Sequence, residues 1–149
     1  PPLPPHVVAP GAAPPGSAGG EAVPVLPADA GPPPPPRDPH LLCVLGQVEQ
    51  AEGHPREARA AYDRALELDP RLVAAWAGRA ELAHERGDHE GALADLGRAL
   101  DVEESAELLF NRSVVFRAAG LPDRARRDLL RAADLAPGDE DVGRALAEV

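Results

Sequence analysis

Lysine, isoleucine, threonine and methionine are absent from this chain of 149 residues, and Asn111 is its only asparagine. All 15 basic residues are arginine. The pattern reads as coding bias from a GC-rich source, and it removes chemistry. There is no lysine nucleophile, and the only serines are Ser17, Ser105 and Ser113. The single cysteine, Cys43, excludes an intrachain disulfide. No apolar run approaches the ~18 residues that a membrane helix needs, and no signal-peptide pattern is visible. Positive charge is also short. A formal net charge of −10 argues against a nucleic-acid groove and against docking on an anionic membrane. The chain opens on Pro1 without methionine, as a processed chain or an excised fragment would.

What is present is divided sharply near Asp38. Residues 1–38 hold 14 of the 19 prolines, with Gly, Ala and Ser filling much of the rest. Such a stretch cannot bury enough apolar surface to offset its ordering entropy, and disorder is the expectation. Pro32–Pro36 should be stiff polyproline II, and Pro32-x-x-Pro35-x-Arg37 fits a ligand pattern for aromatic-grooved domains. A plain spacer is the stronger reading.

From Asp38 on, helical patterns alternate with brief Gly or Pro punctuation, and they repeat. Gly53, Gly87 and Gly120 fall 34 and then 33 residues apart. In the same register stand Ala58, Ala92 and Ala125; Tyr62, Leu96 and Leu129; and Ala65, Ala99 and Ala132. An earlier small position carries Gly46, Ala80 and Ser113, and a large one four residues before it carries Leu42, Trp76 and Leu109. Each unit reads as two helices meeting at the glycine, which can take φ > 0 at a helix end. Pro55 and Pro122 suit the first turn of a second helix, where no N–H is needed. Pro70 and Pro137 close two of the units; the middle one lacks the proline and is a residue shorter near Asp101–Ser105, which predicts a tighter or irregular turn there. One helix pair cannot bury its apolar stripe alone, so stacked neighbours must supply the core.

These aligned positions, with Trp76, Gly46, Tyr62 and the Asp69-Pro70 ending, resemble the tetratricopeptide repeat over about residues 39–137. The resemblance implies an all-α, right-handed α-solenoid of three repeats (39–72, 73–105, 106–138). Residues 139–149 read as a short capping helix, with Asp139 as its cap and Val142, Ala145, Leu146 and Val149 on one face. Two departures stand out. Arg79 and Arg112 occupy a position where the family usually has leucine, which should loosen packing, and Glu49 replaces the usual aromatic.

The resemblance also implies a concave face lined by the first helix of each repeat. Its positions here are Cys43, Gln47 and Gln50; Ala77, Glu81 and His84; and Phe110, Val114 and Arg117. The implied function is non-catalytic: a scaffold or adaptor that binds a protein or peptide segment, with no cofactor, metal, nucleic acid or membrane insertion. Some family members clamp a terminal carboxylate on this face with Lys, Arg and Asn. Of the matching positions Cys43, Gln47, Gly78, Glu107 and Asn111, only Asn111 fits, which speaks against that ligand.

Other clusters read as ordinary surface. His84 and His89 in "HERGDH" lack the i, i+4 spacing of a helical metal pair. Arg124, Arg127 and Arg131 share a helical face on which Asp123 should pair with Arg127 and Asp128 with Arg124. Cys43 should pack as a small hydrophobe. Two alternatives stay open: a docking or regulatory part of a larger enzyme or envelope-assembly protein, and end-to-end stacking into oligomers. The Pro/Ala-rich arm suits an exported or tethered bacterial protein, yet a cytoplasmic location is equally compatible.

Overall fold

The computed structural model describes residue 2 and residues 31–149. The disorder expected of 1–38 therefore falls largely outside the described residues. Within the compact unit 35–149 there are seven helices. They are α1 (Pro39–Ala51), α2 (Pro55–Leu68), α3 (Val73–Glu85), α4 (His89–Val102), α5 (Ala106–Ala118), α6 (Pro122–Leu135) and α7 (Glu140–Ala147).

Local chemistry accounts for the ends of these helices. Proline opens α1, α2 and α6 at the first turn. The side chains of Asp38, Asp88, Ser105 and Asp139 accept backbone N–H bonds at the starts of α1, α4, α5 and α7. Each first helix stops in the same way. Gly53, Gly87 and Gly120 take φ of 81°, 77° and 76°. The next residue then donates back into the helix, His54 to the Glu49 carbonyl, Asp88 to Ala83 and Leu121 to Phe116, each at 2.8 Å. This is the bonding of a left-handed helix stop, and it aims the second helix back along the first.

The link from α4 to α5 is the irregular one. Where Asp69–Leu72 turns between α2 and α3, Glu103–Ser105 simply runs extended (φ −149°, ψ 123° at Glu103). Of the tighter or irregular turn expected there, the irregular form is the one present.

Each helix packs against its neighbour in the chain, and α1 also reaches α3. Three apolar clusters run through the stack, centred on Tyr62, Leu96 and Leu129. Trp76 joins the first two, and its indole N–H donates to the Pro70 carbonyl at 2.8 Å. As expected, Val142, Ala145 and Leu146 of α7, with Val149 just past its end, close the third cluster.

The arginines at the leucine positions do not loosen this packing. Arg79 makes a bidentate pair with Asp95 (Nε to Oδ2 2.8 Å, Nη2 to Oδ1 2.7 Å) and reaches Asp63 of α2 at 2.9 Å. Arg112 grips Asp128 in the same way at 2.7 and 2.8 Å. Asp95 and Asp128 are buried, and the paired guanidinium supplies the charge their burial requires. Asp128 therefore points inward to Arg112 and not along α6 to Arg124. The Asp123–Arg127 pair is likewise absent among the described residues, and Arg131 instead bonds Glu104 across the short link at 2.8 and 2.9 Å. That pairing holds the Glu104 carboxyl below the ordinary carboxylate range.

Candidate functional site

The first helices α1, α3 and α5 line a cleft of about 520 Å³. Gln47, Ala77, Glu81, His84 and Val114 reach it from the expected positions. The other four expected residues have different surroundings. Cys43 is buried in the first core cluster, and burial pushes its thiol pKa up, so it is neither exposed nor a ready thiolate. Gln50 is used internally: it accepts from the Tyr62 hydroxyl and donates to Glu85, both at 3.1 Å. Phe110 packs against the third cluster. Arg117 pairs with Glu148 just past α7 at 3.2 Å.

Three cleft residues stood in the sequence only among the carboxylate-clamp positions, where Asn111 alone fits the clamp. Gly78, Glu107 and Asn111 all line the cleft. Tyr62 and Leu96 form part of its base from the second helices. Their crossing positions marked them as core, and a residue at the crossing also backs the concave side. Tyr62 is wedged between Gly46 and Gly78. A Cβ on either glycine would stand 2.6 or 2.5 Å from its ring. Burial pushes the Tyr62 phenol up to about 12, so it remains a neutral donor to Gln50.

Four polar side chains of the cleft are unengaged among the described residues. Gln47, Glu81, Glu107 and Asn111 make no side-chain hydrogen bond or ion pair among the described residues. The floor between them is small and apolar, made by Ala74, Ala77 and Val114. His84 and His89 sit with ring centroids 5.9 Å apart, each with a buried Nδ1 that lacks a partner. Donor atoms of Glu49, Glu52 and His54 cluster within 4.8 Å. That group is accounted for by the Glu49–His54 bond of 2.8 Å, which raises the His54 pKa.

Stacked helix pairs around a concave polar cleft define a helical-repeat scaffold. A tetratricopeptide-repeat family model matches residues 43–103 and 92–140, and the chain belongs to that family. Among relatives, it is 31% identical over 93 residues to human tetratricopeptide repeat protein 6, covering 62% of this chain and 18% of that protein. It is 34% identical over 79 residues to Xenopus tropicalis tetratricopeptide repeat protein 36, covering 50% and 39%. The chain thus spans well under half the length of these relatives. In structure it is similar to the first repeat domain of Spaghetti (RPAP3) bound to the HSP90 peptide SRMEEVD. The TM-score is 0.70 at 20% identity, over 74% of this chain and 89% of that one.

Proposed function

We propose that the chain is a non-catalytic protein-interaction module whose cleft docks a segment of a partner protein. The observation that carries this is the set of unengaged side chains, Gln47, Glu81, Glu107 and Asn111, around the apolar strip of Ala74, Ala77 and Val114. Polar groups free at the lip supply direction, and the strip supplies burial. The similar RPAP3 domain, bound to a peptide, supports the same use of the fold.

The electrostatics set the kind of segment. Among the described residues Glu81 and Glu107 have no counter-charge, and Arg117 is already held by Glu148. A partner's terminal carboxylate would face two like charges with no arginine or lysine to bind it. A segment carrying a small apolar side chain and a flanking basic residue is complementary. Titration with the peptide SRMEEVD should show no binding, and affinity capture from native lysate should retain a partner. Val114→Glu places a charge on the strip at an exposed position, so helicity should hold while the partner is lost. A captured partner that survives this change docks elsewhere.

A further inference from the structure

At both internal junctions, the first helix of a repeat uses positions of one register against the repeat before it: all four in α3, and the two outer ones in α5. In α3 these are Ala75, Gly78, Arg79 and Leu82. Ala75 and Leu82 share a core cluster with Tyr62 and Leu66 of α2. Gly78 backs onto the Tyr62 ring, and Arg79 bonds Asp63. In α5 the positions are Leu108, Asn111, Arg112 and Val115, of which Leu108 and Val115 join Leu96 and Ala99 of α4. The same register in α1 falls on Leu41, Val44, Leu45 and Val48. All four are large and apolar, and they are 57%, 53%, 36% and 47% exposed. Even the position held by arginine at both junctions is leucine here.

The two ends of the stack therefore differ. At the far end α7 turns Glu140, Asp141, Arg144 and Glu148 to solvent, as a terminal cap should. At the near end a docking face is built and, among the described residues, left open.

We propose that this face pairs with α1 of a second copy, antiparallel, in a two-fold symmetric dimer. The described residues directly upstream of α1, 31–38, form no helix that could cover it. The polar α7 end does not complement it, so head-to-tail stacking is disfavoured and the assembly closes at two. The stripe is self-complementary. Antiparallel pairing sets Leu41 of one copy against Val48 of the other, with Val44 and Leu45 at the centre. Exposed Arg37 flanks the start of α1, and exposed Glu52 flanks its end. The antiparallel arrangement brings Arg37 of each copy toward Glu52 of the other and opposes the two helix dipoles.

Sedimentation equilibrium of the whole chain over a concentration series tests this. The mass should climb from 15.5 kDa toward twice that value. Val44→Glu with Val48→Glu should hold it at the monomer with an unchanged far-ultraviolet circular dichroism spectrum. Arg37→Glu should weaken the dimer roughly three- to tenfold, and adding Glu52→Arg should restore it. A monomer at every concentration overturns the proposal. So does a dimer that survives the double glutamate variant, or one that the charge swap does not rescue.

Discussion

The first repeat and the two that follow solve the same helix crossing with different chemistry. In the first, Tyr62 fills the space, and Gly46 and Gly78 make room for its ring from either side. The neighbouring pair of positions is Leu45 and Ala61, both apolar. In the second and third repeats Leu96 and Leu129 replace the tyrosine, and the neighbouring pair becomes Arg79–Asp95 and Arg112–Asp128. Each ionic pair spans sixteen residues and ties the two helices of its repeat. Among the described residues, position 45 has no preceding helix beside it, and a leucine there leaves an open apolar face. At positions 79 and 112 a fork of hydrogen bonds fixes how far the first helix of the repeat can rotate against the second, and Arg79 alone also reaches back to Asp63. An apolar seam fixes that rotation less sharply. A buried pair adds little net stability but is costly to break on one side, so the expected gain is in geometry.

The comparison breaks hardest at Asp95. Asp95→Ala leaves the half-buried Arg79 with only Asp63, and urea denaturation should show a loss of about 2–3 kcal/mol. Adding Arg79→Leu copies the Leu45–Ala61 solution into the second repeat and should return stability to within about 1 kcal/mol of the original. A double variant as unstable as Asp95→Ala would mean that the second repeat cannot use the first repeat's solution.

The tyrosine side of the comparison is tested at Gly78. Gly78→Ala sets a methyl against the Tyr62 ring and should cost about 1–2 kcal/mol. In a Tyr62→Leu background, which copies the later repeats, the same change should be nearly free, and the two effects should be strongly non-additive in thermal unfolding.

The smallest difference lies at the turns between paired helices. Asp88 caps α4 through the Gly91 N–H, whereas His54 gives α2 no side-chain cap and bonds Glu49 instead. That bond raises the His54 pKa above 6.5, mainly through the hydrogen bond to Glu49. Its stabilisation is complete below the unfolded value and is lost as pH rises through the higher folded one. Proton NMR should find His54 titrating above the normal histidine value, and Glu49→Gln should bring it down.

Much of this architecture was legible because its causes are local. The glycine stops, the prolines at the first turn, the Asp139 cap and the apolar face of α7 each follow from a few adjacent residues. The ion pairs were misread because Arg79 and Arg112 were judged singly, against a position usually held by leucine. The signal was present in the register: Leu45 goes with Ala61, while Arg79 and Arg112 go with Asp95 and Asp128. Asp128 was assigned to Arg124 by helical spacing, but its burial selects a partner on another helix.

The cleft divides along the same line. The helices that face it, and which of their turns do so, are set by the repeat period. Whether Cys43 is exposed, whether Gln50 is free, and whether Arg117 is available depend on what lies beside them in space. Tyr62 covers the first, binds the second, and Glu148 takes the third. The sequence by itself determined seven short helices, their caps and their order of stacking, since backbone preference and apolar periodicity act within a turn or two. The tertiary structure alone decided which polar groups remain unsatisfied on the concave face. Pairing depends on the rotation of each helix about its axis, and only packing against the neighbouring helices sets that angle.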